Sequence, residues 1–147
     1  MATNYLSASF LSPGYQDLLD ADNREREKEI KRAKAILKEK VDLIVVDTAH
    51  GHTKKVAEII KKIKKFKSKE TTLCAGNIAT TEAAKFLSNL GVDVIKVGIG
   101  PGSICTTRLV AGIGVPQLSA IIAVKKGISK KNITLIADGG IKFSGDI

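Results

Sequence analysis

The chain has 147 residues, of which 44% are apolar and 27% charged, and its formal net charge at pH 7 is +9. This length and composition suit one globular domain with a sizeable core. No apolar run reaches the roughly 18 residues that a membrane span needs, and the first residues lack the pattern of a signal peptide. Two cysteines provide no disulfide framework, so we expect a cytoplasmic protein that does not bind membranes.

Strand and helix patterns alternate along the chain after a polar segment at residues 1–27. This alternation of strands and helices indicates a parallel sheet with covering helices, and the pattern alone leaves both a doubly wound sheet and a (β/α)₈ barrel open. In the last predicted helix, which runs from Pro116 to Gly127, we expect Leu118, Ile121 and Ile122 to face inward. Helices are predicted over 24–40, 54–66, from Thr80 or Thr81 to Gly91, and from Pro116 to Gly127, and strands over 43–46, 71–75, 92–97 and 133–137.

Much of the positive charge lies on and just after the helix predicted over 54–66. Its apolar residues fall on one helical face and its lysines on the other, which favours a solvated helix surface over a nucleic-acid site. Aromatic residues make up only 4% of the chain, so base-stacking platforms are scarce. A positive field can still attract an anionic nucleotide.

Polar residues follow the predicted strands at Asp47, Asn77 and Asp138. In a barrel these positions share one mouth at the carboxyl ends of the strands, where active sites lie. An unpaired carboxylate such as Asp47 directly after a buried strand is costly, which points to a binding role. An aspartate in a Gly-Gly turn is the alternative interpretation of Asp138.

A glycine-rich loop leads from the third predicted strand to Cys105. Glycine permits backbone conformations that side chains forbid, and it lets the backbone approach an anion or a metal closely. A thiol becomes a nucleophile when its pKa is lowered. The alternative is an ordinary turn with an incidental cysteine.

The chain also contains a second cysteine and two histidines. Cys74 lies in an apolar strand pattern and is expected to be a small buried hydrophobe. His50 and His52 have no cysteine or third histidine nearby in the sequence, which makes them a weak zinc signal. No G-x-G-x-x-G motif opens a helix, so a dinucleotide site here would not be of the Rossmann type.

Five segments resemble, in order, the inosine 5′-monophosphate (IMP) dehydrogenase and GMP reductase family. The most specific is GIGPGSICTTR at 98–108, which is similar to the family's catalytic cysteine loop. The match covers about residues 28–147, while residues 1–27 match weakly. The other four are VDLIVVDTAHGH at 41–52, which resembles the dehydrogenase more than the reductase, AGN at 75–77, GIGVPQ at 112–117 and IADGGI at 136–141.

The resemblance implies a (β/α)₈ TIM barrel, of which residues 28–147 would form about four units, from the fourth strand to the seventh. It implies oxidation of IMP to XMP with NAD and water, through a covalent thioimidate, by a homotetrameric enzyme. By the same resemblance, Cys105 is the nucleophile and Thr107 orients water. The resemblance assigns IMP binding to Ser103, Asp138 and Gly140, and NAD contacts to Asp47, Asn77 and Gly98. It also implies a potassium ion held by the main-chain carbonyls of Gly100, Gly102 and Cys105.

Two alternatives stay open beside the dehydrogenase. One is GMP reductase, which deaminates GMP to IMP with NADPH, and the other is a non-catalytic half-barrel. A complete barrel needs roughly 200 residues or more, and four strands alone leave two open sheet edges. We therefore expect residues 1–147 alone to show no IMP oxidation, and to self-associate or be stable only within a longer chain.

Overall fold

A computed structural model describes residues 18–102, 112–128 and 132–146 of the chain, with side chains from Glu25 onward. Helices and strands alternate along this part of the chain, as predicted. The helices are α1 (Leu18–Lys38), α2 (Lys54–Phe66), α3 (Thr81–Leu90) and α4 (Gln117–Gly127), the strands are β1 (Leu43–Asp47), β2 (Thr72–Ile78), β3 (Val94–Val97) and β4 (Thr134–Ala137), and a short 3₁₀ turn spans Ser144–Asp146.

The four strands form one parallel sheet in the sequential order β1-β2-β3-β4. A doubly wound sheet reverses its strand order at a switch point, whereas consecutive β/α units of a barrel lie side by side in chain order. The sheet therefore has the arrangement of four successive units of an incomplete (β/α)₈ barrel. This order distinguishes the two architectures that the sequence pattern left open.

The two faces of the sheet carry separate apolar clusters. The outer face packs against α1–α4 and includes the fully buried Ile44, Leu73 and Ile95. On the inner face, Val45, Cys74 and Val94 form a second cluster in one row of the register. Because successive side chains of a strand point to opposite faces, the inner face follows the same alternation as a barrel interior.

Side-chain caps begin two of the helices. The Thr53 and Thr80 hydroxyls accept hydrogen bonds from backbone amides in the first turns of α2 and α3, which satisfies amides that have no partner inside the helix. Gly91 ends α3 in the left-handed conformation, with φ of 73°. Thr80 is therefore the cap that the sequence left open between two threonines.

Three sequence-based expectations are corrected. Helix α1 begins at Leu18 rather than 24, and β2 continues to Ile78, so Asn77 lies within its last residues instead of after it. In α4, Leu118 and Ile122 are 39% and 49% exposed, although both were expected to face inward. Gln117, Ala120, Val124 and Gly127 are the buried positions of that helix.

The α4 error has a physical cause. Helix α4 packs against α3 through small residues, and a Cβ added at Gly127 would lie 2.3 Å from the Thr81 carbonyl oxygen and 2.7 Å from the Ala84 Cβ. Because the backbones of α3 and α4 approach closely, the buried face of α4 is the one with small residues, although larger apolar side chains lie elsewhere on the helix. Within the described ranges, no helix combines the length and apolar composition that crossing a bilayer requires.

Candidate functional site

Strand register builds the site at the carboxyl edge of the sheet. Asp47 of β1, Gly76 of β2 and Lys96 of β3 lie in one row of the register, so they face the same side. Adjacent strands are about 4.8 Å apart, and Gly76 presents no side chain between its neighbours. A Cβ at Gly76 would lie 2.4 Å from the Lys96 carbonyl oxygen and 2.6 Å from the Lys96 Cβ. Glycine there leaves the room through which Lys96 reaches past β2.

Lys96 joins the two carboxylates predicted from the sequence. Its Nζ lies 3.0 Å from Asp47 Oδ2 and 3.1 Å from Asp138 Oδ2. The lysine side chain is only 17% exposed, compared with 30% for Asp47 and 45% for Asp138. A largely buried cation thus holds together one carboxylate at the end of β1 and another directly after β4.

Asn77 links the same cluster to the glycine-rich loop. Its Nδ2 donates to Asp138 Oδ2 at 2.7 Å and to the Gly98 carbonyl oxygen at 2.8 Å. The Asn77 Oδ1 atom is buried and has no hydrogen-bond partner among the described residues. Its amide therefore orients Asp138 while leaving an acceptor for a further donor.

Lys96 and Asp138 each favour the charged form of the other. Burial disfavours the ionised form of Asp138, but the hydrogen bond from Asn77, the hydrogen bond from Lys96 and the lysine charge outweigh it and lower the pKa of that carboxyl. Burial likewise acts against the charged form of Lys96, yet its bonds to Asp47 and Asp138 raise the pKa of the ammonium. The Lys96 ammonium is therefore hydrogen-bonded to Asp47 and paired with the ionised carboxylate of Asp138.

We expect Lys96→Met to raise the pKa of Asp138, because the substitution removes a hydrogen bond and a positive charge from the ionised carboxylate. The pKa is measured by NMR, from the chemical shift of the Asp138 side-chain carboxyl carbon as the pH is varied. Since the folded-state pKa lies below the unfolded value of about 3.9, ionised Asp138 stabilises the fold above that pH. This contribution is lost as pH falls through the folded-state pKa, and Lys96→Met should make that loss smaller.

The matched control for this titration is Lys126→Met, which removes an exposed lysine of α4. It should leave the pKa of Asp138 unchanged. An unchanged Asp138 pKa in Lys96→Met would show that the ion pair does not hold the carboxylate in its charged form.

The loop after β3 meets the loop after β4. Gly98 and Gly140 have φ of 146° and 78°, values that favour glycine. A Cβ at Gly98 would lie 2.7 Å from the Asp138 carbonyl oxygen, and one at Gly139 would lie 3.5 Å from the Gly102 backbone. Between the loops is a cavity of about 370 Å³, lined by Gly100, Pro101, Gly114, Val115, Pro116, Gln117 and Gly140.

The structure brings together Asp47, Asn77, Gly98 and Asp138, and it places Gly100 and Gly140 at the adjacent cavity. Gly102 lies beside Gly139. The predicted nucleophile Cys105, together with Ser103 and Thr107, lies outside the described residues.

Cys74 is fully buried, as predicted. Burial is the main cause that raises the pKa of its thiol to about 12, with Asp47 and Asp138 adding to the effect and Lys96 opposing it. A thiol in this environment stays protonated at neutral pH, so Cys74 is unsuited to act as a nucleophile.

The two histidines are near each other, and one of them packs on an aromatic ring of α3. The His52 ring is 4.6 Å from the Phe86 ring and 6.5 Å from the His50 ring, measured between centroids. Within the part of the chain that the structure describes, no three His, Cys, Asp or Glu side chains are grouped to hold a metal ion.

Sequence reasoning missed two residues of this site, Lys96 and Gln117. The available signal for Lys96 was a charge between Ile95 and Val97 in an otherwise apolar strand, where burial demands a partner. For Gln117 the signal was weaker, because a polar residue at the start of a helix is ordinary. Both roles depend on neighbours that lie far away in the sequence.

Comparison with known proteins shows the family of the chain. The family model described as IMP dehydrogenase / GMP reductase domain matches residues 19–147. An inosine-5′-monophosphate dehydrogenase from Borreliella burgdorferi is 55% identical over 118 residues, which are 80% of this chain and 29% of that protein. Another from Staphylococcus aureus is 57% identical over 116 residues, 79% of this chain and 24% of that protein.

A solved structure shares the fold. GMP reductase from Trypanosoma brucei superposes with a TM-score of 0.75 and 37% sequence identity, covering 95% of this chain and 28% of that one. The chain thus spans less than a third of the length of these relatives. By its family-model match over most of its length and its similarity to these proteins, the chain belongs to the IMP dehydrogenase / GMP reductase family.

Proposed function

We propose that this chain is the central part of a catalytic (β/α)₈ barrel that oxidises IMP to XMP with NAD and water. The observation that carries the proposal is the cluster at the sheet's carboxyl edge. There, Lys96 and Asn77 hold Asp47 and Asp138 together, beside the glycine-rich loop. A barrel enzyme assembles its active site at this edge.

Asp138 is the residue that we assign to the ribose of IMP. Its carboxylate is kept ionised by Asn77 and Lys96, and an ionised carboxylate accepts hydrogen bonds from two neighbouring hydroxyls. Nearly half of the side chain is exposed, so a ligand can reach it. Gly140 and Ser103 are assigned to the phosphate side.

Asp47 at the end of β1 and Asn77 near the end of β2 are assigned to a nicotinamide cofactor. Asp47 offers a partly exposed carboxylate, and Asn77 Oδ1 is a buried acceptor without a partner in the described chain. Hydroxyl and carboxamide donors of a dinucleotide suit both groups. With Gly98, they would hold NAD, which supplies the hydride acceptor when bound.

Cys105 is assigned the covalent step. Its thiolate would add to carbon 2 of the hypoxanthine base, and the hydride lost from carbon 2 would pass to NAD, the two-electron acceptor that the proposal names. Water, oriented by Thr107, hydrolyses the resulting thioimidate and releases XMP, so one difficult step becomes two easier ones. The inert Cys74 supports this assignment, because Cys105 is the other cysteine of the chain.

A potassium ion belongs to the same proposal. Main-chain carbonyls of Gly100, Gly102 and Cys105 are the assigned ligands, and hard cations prefer oxygen ligands. Gly100 has φ of 68°, a conformation that turns the backbone where side chains resist. We also propose a homotetramer for the complete enzyme, as the family resemblance implies.

The second candidate function is GMP reductase, favoured by the solved structure from Trypanosoma brucei. The residues 47–52, DTAHGH, resemble the dehydrogenase more closely. Identity to the dehydrogenases cited above is 55% and 57%, compared with 37% for the reductase. We therefore place the dehydrogenase first.

The test uses a chimaera in which residues 28–147 replace the corresponding segment of the Borreliella burgdorferi enzyme. We expect NADH absorbance to rise with IMP and NAD, and no oxidation of NADPH with GMP. The 147-residue chain assayed alone is expected to produce no NADH. A folded chimaera that lacks IMP oxidation, beside an active parent enzyme, would contradict the proposal. Oxidation of NADPH with GMP would support the reductase instead.

A further inference from the structure

Gln117 is a buried polar residue at the start of α4, and only 6% of it is exposed. Its Nε2 donates to the Val97 carbonyl oxygen at 2.8 Å. Because a carbonyl can only accept, this bond fixes which end of the amide is the nitrogen. Val97 is the last residue of β3, directly before the glycine-rich loop.

The same Val97 oxygen also accepts the backbone N–H of Asp138, at 2.8 Å. One carbonyl thus holds both the side chain of Gln117 and the first residue after β4. The Gly98 amide beside it donates to the Ile78 carbonyl oxygen at 3.0 Å. Gln117 is therefore tied to the point where the loops after β3 and β4 begin.

Gln117 also fills the space between these loops. A Cβ added at Gly98 would lie 3.1 Å from Gln117 Oε1, and one at Gly140 would lie 2.9 Å from Gln117 Cβ. Pro101 borders both positions, with its ring 3.1 Å from the first and 2.9 Å from the second. The glutamine side chain therefore separates the two loops, and the two glycines make room for it.

The Oε1 atom is buried without a hydrogen-bond partner among the described residues. The donor of the amide bonds the Val97 carbonyl beside the cavity, and an apolar side chain of the same length would fill the space without that bond. This hydrogen bond at the cavity wall points to a role in the site in addition to packing.

We infer that Gln117 is a positioning residue that sets the spacing of the loops after β3 and β4, and so the affinity for the phosphate of the bound nucleotide. The identity of the ligand rests on the proposed function, which assigns Gly140 of the cavity to the phosphate. The positioning of the two loops does not depend on it.

The first measurement needs no ligand. In the chimaera, amide hydrogen exchange of Gly98 and Asp138 is followed by mass spectrometry, with fragmentation that resolves single amides, for the unmodified sequence and for Gln117→Met, which has a similar size but no donor. We expect both amides to exchange about tenfold faster, as loss of one hydrogen bond would produce. Gln117→Glu is a second variant without the donor, and a carboxylate is favoured in the first turn of a helix.

The matched control is Thr71→Val. It removes a buried hydrogen bond to the carbonyl of Val41, at 3.0 Å, two residues before β1 begins. It should leave Gly98 and Asp138 exchange unchanged relative to the core amides. Unchanged exchange at these two amides in both Gln117 variants would overturn the inference.

The second measurement is the affinity for IMP and for inosine, by calorimetry on the same chimaeras. The Gln117 variants should bind IMP about tenfold more weakly, and inosine should lose less affinity than IMP, because only IMP carries the phosphate. Equal losses of affinity for both ligands, or no loss for IMP, would overturn the phosphate role. If the unmodified chimaera binds neither ligand, the proposed function fails, and the exchange data still decide whether Gln117 positions the loops.

Discussion

Cys105→Ala is expected to abolish XMP formation in the chimaera while leaving IMP binding largely intact. Alanine has no nucleophile to add to carbon 2 of the base, so the covalent step is lost. The ribose and phosphate contacts that hold IMP remain. NADH absorbance measures turnover, and calorimetry measures the dissociation constant for IMP.

The matched control is Cys74→Ala, which removes the other cysteine of the chain. Burial is the main cause that raises the pKa of that thiol to about 12, so Cys74 carries no thiolate at neutral pH. Its removal should leave turnover close to that of the unmodified chimaera. Cys105→Ala turnover above a few per cent would exclude Cys105 as the nucleophile.

Asp138→Ala is expected to weaken IMP binding about 10- to 150-fold. A hydrogen bond to a charged group contributes roughly 1.5–3 kcal/mol, and each 1.4 kcal/mol is about tenfold in affinity. The substitution also removes one of the two carboxylates on Lys96 and one of the two acceptors of Asn77 Nδ2. Calorimetry with IMP gives the dissociation constant.

Asp146→Ala is the control for this effect. Asp146 is another carboxylate held by hydrogen bonds, here from the backbone amides of Lys142 and Phe143, but it lies in the 3₁₀ turn after the site. Its removal should leave IMP affinity unchanged. An unaltered dissociation constant in Asp138→Ala would remove that aspartate from the ribose site.

Hydrophobic periodicity predicted the elements themselves well. The predicted bounds of α2, 54–66, coincide with the structure, and Val56, Ile59, Ile60 and Ile63 are buried as expected. Capping chemistry placed the start and end of α3 at Thr80 and Gly91. These features depend on residues a few positions apart, so a local pattern is sufficient to predict them.

The face of α4 could not be predicted in this way. Its segment is apolar on most sides, so periodicity gives no clear direction. The buried face of α4 is set by its contact with α3, where a Cβ at Gly127 would lie 2.3 Å from the Thr81 carbonyl oxygen. Leu118 and Ile122 are consequently exposed in the described structure.

By itself, the sequence determined that strands and helices alternate, that Asp47, Asn77 and Asp138 lie at strand ends, and which family the motifs resemble. Only the tertiary structure decided the sequential strand order and the contacts within the site. Lys96 reaches Asp47 because Gly76 leaves the intervening strand without a side chain, and Gln117 meets Val97 across 20 residues. Such pairings arise from strand register and packing between distant segments, which local patterns do not encode.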